Sequence, residues 1–187
     1  AAGVSALAYK GPALALEAYG DLGLRPSLDL DLLVRPAQAA PARRLLAALG
    51  YRPASLEGMP EDVLLGTQCE QAWVDPAGTL FVDLHWGVAP PSFSAAVDLE
   101  GLWRRTRRVP WMGREIALPS PEDLLILLCI HGGKHCWSRL LWICDVAELV
   151  RAHPGLDWSV VEARASAWGV RRLLDLGVAL ARDLLDA

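Results

Sequence analysis

The stretch "SLDLDLLVR", residues 27–35, decides how this chain is read. Its strict alternation of apolar and acidic residues is the pattern of a half-buried strand, with Leu28, Leu30 and Leu32 on one face and Asp29 and Asp31 on the other. Asp is a poor strand former, and two like charges on one face repel each other. Something is expected to compensate for that cost.

Working outward, residues 4–9 alternate well enough for a strand, and "KGP" at 10–12 turns it into a helix. Pro12 suits the first helical position, where its missing N–H would have no partner anyway. That helix is expected to end near Gly20 to Gly23, before the Leu-Asp strand. Residues 37–51 read as a second helix stopped by Gly50, with Pro41 early enough to be tolerated. Segments 69–74 and 79–88 flank the turn "DPAG" and are expected to pair as an antiparallel hairpin, which makes the sheet mixed. In the second segment Val82, Leu84 and Trp86 alternate with Asp83 and His85, so an acid again faces away from the apolar side. A shorter hairpin is expected within 107–120, around Met112 and Gly113, and the arginines at 104, 105, 107 and 108 read as a solvated surface.

From residue 120 the pattern is helical to the end. Ser120 as N-cap, Pro121 behind it and acids in the first turn open one helix. A second is expected over 138–153, a third capped by Asp157, and an amphipathic last one over 170–186. The fold class is therefore α+β: residues 1–119 form a mixed β-sheet flanked by helices, and residues 120–187 a helical C-terminal part.

The composition sets the frame. A chain of 187 residues, 53% hydrophobic and 21% charged, is long enough for one sizeable core or two small ones. Its longest uninterrupted apolar run, residues 124–130, falls well short of a membrane span, and a soluble, cytoplasmic protein is expected. The four cysteines lack C-x-x-C spacing and read as small buried residues outside any disulfide framework. A net charge of −4 argues against a protein held to nucleic acid mainly by phosphate neutralisation, yet leaves room for a small anionic substrate bound through metal ions. Of the 18 basic residues only Lys10 and Lys134 are Lys. A point charge on a flexible stem does what a planar fork cannot, so these two sites are conspicuous.

If the strands bearing Asp29, Asp31 and Asp83 are neighbours, three carboxylates converge, which suits Mg²⁺ shared with substrate phosphates. Two such ions would clamp the attacking and leaving oxygens of an in-line displacement. The bland alternative is the wet face of an edge strand.

The Gly at the strand-to-helix turn, the D-x-D strand, "VDLHWGV" at 82–88 and the helical "HGGKHCW" at 131–137 resemble the bacterial family of uncharacterised nucleotidyltransferases, within the DNA polymerase β-like superfamily. The likeness spans roughly residues 5–150, and because family members are generally longer, the chain is expected to be a fragment or a trimmed form. It implies Asp29, Asp31 and Asp83 as ligands of two Mg²⁺ ions, Mn²⁺ being a substitute, with Asp83 placed to help deprotonate the acceptor. It implies a nucleotide site of Lys10, Gly11, His131, Lys134 and His135, with Arg25, His85 and Asp145 in support. The implied reaction moves an NMP from an NTP to a hydroxyl-type acceptor with release of pyrophosphate. The acceptor, whether small molecule, peptide, protein or, less favoured by the acidic charge, RNA, is not readable. Gly11 is followed by Pro12, which offers neither the hydroxyl nor the N–H usual at this turn, and an inactive module binding nucleotide or a partner protein is the rival reading. A purely structural domain would bind neither metal nor nucleotide.

His131, Lys134 and His135 fall at i, i+3 and i+4 and share one helix face. Two histidines so spaced are also a zinc pattern, but HExxH and a third ligand are missing. The preferred reading sets Lys134 on the β/γ-phosphates and a histidine near the phosphates or acceptor. Asp145 is expected to orient Lys134 or a histidine, or to pair with Arg139 or Arg151. The tryptophans at 73, 86, 137 and 142 read as core.

Overall fold

The computed structural model describes residues 3–187. Seven strands and eight α-helices are found there: β1 Ala6–Ala8, α1 Gly11–Tyr19, β2 Asp29–Val34, α2 Ala39–Ala48, β3 Arg52–Pro53, α3 Glu61–Thr67, β4 Glu70–Val74, β5 Phe81–His85, α4 Leu99–Arg104, β6 Arg107–Trp111, β7 Arg114–Leu118, α5 Pro121–Lys134, α6 Leu140–Ala152, α7 Trp158–Ala167 and α8 Arg171–Leu185. The main sheet has the order β1-β2-β5-β4-β3. All its pairs are antiparallel except β2 with β5, which run parallel. Strands β6 and β7 form a separate hairpin beside β1.

The period-two pattern separates the two faces of the sheet. Val34, Trp73, Val82, Leu84 and Trp86, with the half-buried Leu30 and Leu32, form one core under α2 and α3. Leu28 does not share that role: it precedes β2, where the ladder no longer fixes it, and is largely exposed. The opposite face contributes Leu33 to a larger core with Leu7, Leu14, Leu102 and the inner sides of α5 to α8. Helix α5 is buried nearly all round, with Leu124 to Ile130 fully enclosed, so it is the central strut of this layer.

Capping follows the residue types. Ser120 accepts from the Asp123 N–H at 3.3 Å, Asp157 from Val160 at 3.1 Å and Asp98 from Gly101 at 2.8 Å. The two short helices α3 and α4 and the two-residue β3 are additions to the sequence reading, each too short to show a full period. All four cysteines are free thiols; Cys69 and Cys129 are buried, but Cys136 is exposed because it sits in the turn after α5.

Candidate active site

The parallel register of β2 and β5 places Asp31 directly opposite Asp83. Two residues earlier on β2, Asp29 lines the same cleft, a cavity of about 680 Å³ whose other wall is His131, His135, Arg139 and Trp142 from the end of α5 and the start of α6. Oxygens of Asp31 and Asp83 and a ring nitrogen of His85 lie within 4.8 Å of one another, the one such grouping among the described residues. Asp29 and Asp83 are half-buried, and both carboxyls are raised above their ordinary range. Burial is the main cause, and the neighbouring carboxylates add to it for each. The cost anticipated from the D-x-D pattern is thus present in the folded chain.

Asp31 behaves differently because it has partners. Its Oδ1 is 2.6 Å from the Lys10 ammonium and 3.1 Å from His85 Nε2. Burial alone would raise this carboxyl, but His85 and Lys10 hold it well below the usual range. His85 is itself enclosed, with Nδ1 3.0 Å from Glu70 Oε2 and 3.2 Å from the Tyr9 hydroxyl. Burial pushes the imidazole down, yet the hydrogen bonds to Asp31 and Glu70 prevail and keep its pKa above the ordinary value. With a carboxylate at each nitrogen, both ring N–H groups donate.

Gly11 makes the close approach of the turn to β2 possible. It opens α1 with φ of +57°, and a Cβ there would stand 2.7 Å from the Asp29 carbonyl oxygen. No L-residue accommodates both conditions without a shift. The Lys10 side chain, on the residue before it, consequently points at Asp31 and also lies 3.4 Å from His131 Nδ1. Since an ammonium only donates, Nδ1 is the acceptor and the ring proton is assigned to Nε2. Burial, then the nearby Lys10 charge, pushes His131 down to about 2, so the ring is neutral at pH 7.

His131, His135 and Trp142 stack into one aromatic group, with centroids 4.7 to 5.1 Å apart. Trp142 therefore faces the cleft, whereas Trp73 and Trp86 are core as expected. Lys134 takes a different direction from the histidines. Its ammonium lies 2.9 Å from Glu70 Oε2, and it is not among the residues lining the cleft. Gly132 serves packing: a Cβ on it would meet the Trp137 ring at 2.4 Å. Trp137 and Cys136 reach that place through consecutive left-handed backbone conformations, and the Trp137 N–H returns to the Gly132 carbonyl at 2.8 Å.

Asp145 does not pair with Arg139, Arg151, Lys134 or a histidine. It receives Arg25 in a bidentate pair, Nε to Oδ1 at 2.7 Å and Nη2 to Oδ2 at 2.9 Å, together with the Tyr19 hydroxyl at 2.8 Å. The remaining Arg25 nitrogen reaches the Gly11 carbonyl at 3.4 Å, so α6 is tied through Arg25 to the glycine turn. Glu70, Tyr9 and Tyr19 were not singled out from the sequence. Glu70 alternates in β4 like any exposed strand residue, and only its register opposite His85 reveals its role.

The donor set, carboxylates with little compensating positive charge at Asp29 and Asp83, fits a hard divalent cation. The profile of the family described as "Uncharacterised nucleotidyltransferase" matches residues 1–186. Among solved structures, the antibiotic-resistance factor ANT(2'')-Ia is similar with a TM-score of 0.53 at 13% identity, over 94% of this chain and 88% of that one. An antigenic nucleotidyltransferase-like protein from Paracoccidioides brasiliensis is similar with a TM-score of 0.50 at 19% identity, over 98% of this chain and 89% of that one. At such identities the likeness is one of fold. No curated protein matches the sequence.

Proposed function

The chain belongs to the uncharacterised nucleotidyltransferase family, and from that premise we propose that its cleft transfers a nucleoside monophosphate from a Mg²⁺-bound NTP to a hydroxyl-type acceptor. The observation that carries the reading is the register pairing of Asp31 with Asp83, with Asp29 on the same wall. Asp29, Asp31 and Asp83 would hold the divalent ions, two by the superfamily pattern, with Mn²⁺ as a substitute. When bound, such ions neutralise phosphate charge and make an acceptor hydroxyl more acidic.

The chain's own groups do the rest. The acceptor oxygen attacks the α-phosphorus, the bond from that phosphorus to the bridging oxygen of the β-phosphate breaks, and pyrophosphate leaves. Asp83, opposite Asp31 on β5, takes the acceptor proton. Lys10, the backbone at Gly11 and the α1 N-terminus meet the phosphates. Neutral His131 and the more open His135 line the path, and Arg139 adds charge at the mouth. Trp142 offers the nucleobase a flat apolar face. His85, with both nitrogens engaged, supports Asp31.

The test is calorimetry with each NTP, with and without Mg²⁺, joined to a pyrophosphate-release assay against candidate acceptors. Binding should require Mg²⁺, and Asp31→Asn or Asp83→Asn should lower turnover by about 10²-fold or more, as loss of one charge-stabilising group does elsewhere. Mg²⁺-independent binding that ignores both substitutions would overturn the reading. One observation favours a catalytically inactive module that binds nucleotide or a partner protein: Pro12 deprives the turn of a hydroxyl and an N–H. Tight Mg²⁺-NTP binding with no pyrophosphate release to any acceptor would support it.

A further inference from the structure

The polar contacts around Asp31 form a closed circuit. From Lys134 it runs to Glu70 at 2.9 Å, on to His85 Nδ1 at 3.0 Å, from His85 Nε2 to Asp31 Oδ1 at 3.1 Å, to Lys10 at 2.6 Å and to His131 Nδ1 at 3.4 Å. His131 and Lys134 are one turn apart on α5, so the circuit begins and ends on the same helix face. Between them it crosses β4, β5, β2 and the turn before α1.

We infer that Glu70 and Lys134 are positioning residues for the metal-binding carboxylate: they lock the His85 ring, which in turn fixes the rotation of Asp31. This rests on the proposed function, since it assigns Asp31 to a divalent ion. The geometry carries it. His85 is fully enclosed, and its two hydrogen-bonding directions are fixed by carboxylates on neighbouring strands. Glu70 is the more exposed of those carboxylates, and its Oε2 also receives the Cys69 thiol at 3.8 Å. The Lys134 ammonium, on a stem itself largely covered, is its charged partner at 2.9 Å. A carboxylate ligand held by its own hydrogen-bond partners presents a fixed lone pair to an ion, and loss of such partners elsewhere costs 10 to 100-fold in metal affinity. The rarity of Lys here also finds a reason. The largely covered ammonium meets Glu70 as a compact point charge, which a planar fork does not reproduce.

A mechanical lock and a simple charge effect differ in the sign they give the Lys134 variant. Removing the Glu70 charge makes the surroundings more positive and removing the Lys134 charge makes them more negative, so an electrostatic field alone would move metal affinity in opposite directions. A mechanical lock moves it the same way. The experiment titrates the full chain with MnCl₂ alone by calorimetry, in wild type, Glu70→Gln, Lys134→Gln, the double variant and Lys134→Arg, with circular dichroism on each. The expected result is a Kd for Mn²⁺ raised about 10 to 100-fold in both single variants, with no further rise in the double variant. Lys134→Arg should recover only part of the loss. If Glu70→Gln does not fold, Lys134→Gln and Lys134→Arg decide the matter alone. Unchanged affinity, or opposite shifts in the two single variants, overturns the inference and leaves the proposed function standing. A wild-type chain that binds Mn²⁺ neither alone nor together with a non-hydrolysable NTP overturns the proposed function itself.

Discussion

The strand wall and the helix wall of the cleft hold their functional groups by different means. On the strand wall, Asp31 and Asp83 face each other because hydrogen-bonded register leaves them no other place, and Asp29 follows by period two. On the helix wall, His131, His135 and Trp142 owe their arrangement to side-chain packing across a turn and to ties reaching back to the sheet. Backbone pairing sets the first wall and tertiary contact the second. The backbone positions of the first wall should accordingly tolerate changes in distant side chains, although the rotation of the Asp31 carboxylate still follows His85 and its partners; the second wall should not tolerate them.

The strongest way to break that contrast is Asp145→Asn. Asp145 is the one acid that ties α6 to Arg25 and through it to the Gly11 carbonyl, and the pair is buried on both sides. Leaving the Arg25 guanidinium buried without its counter-charge should cost about 3 to 5 kcal/mol in urea unfolding, with nucleotide binding falling in parallel. A loss below about 1 kcal/mol would mean that the helix wall stands without this tie.

Next in size is Gly11→Ala, a test of the strand wall's own geometry. The positive φ and the 2.7 Å approach of a Cβ to the Asp29 carbonyl together should cost about 1 to 3 kcal/mol of stability and displace Lys10 from Asp31. Unchanged stability together with unchanged NTP affinity would show that the turn is not held as tightly against β2 as its geometry implies.

The smallest expected effect sharpens the comparison within the helix wall. Trp142→Ala should weaken NTP binding on the order of tenfold while leaving inorganic tripolyphosphate binding unaltered, and Trp142→Phe should recover most of the loss. Equal weakening for both ligands would assign Trp142 to the packing of the histidines and take the nucleobase elsewhere.

The same contrast explains how far the sequence could be read. Alternation in residues 27–35 and 81–86 announced the strands, their apolar faces and the three acids, because period two is a local property. The caps at Ser120 and Asp157 were legible for the same reason. What escaped was set by partners distant in sequence. Glu70 acquires its role only from its register opposite His85, and Asp145 meets Arg25 only because α6 packs on α1. Lys134, expected at the phosphates, lies against Glu70 instead: one helix face holds both histidines and the lysine, but its width spans two different neighbours. Of the glycines beside it, Gly133 answers to Leu173 of α8 and Gly132 to Trp137, whose position depends on a turn with two left-handed residues that no propensity rule anticipates.

The one parallel pairing in the main sheet also has a consequence in time. The β4–β5 hairpin closes over a short turn, but β2 meets β5 only after an excursion that contains α2, β3, α3 and β4. Contacts so distant in sequence carry the larger loop-closure cost and slow the folding of chains that depend on them. Loop closure thus favours the β4–β5 hairpin over the β2–β5 pairing, so the repulsion between Asp31 and Asp83 weighs on the long-range step of sheet formation rather than on the local one.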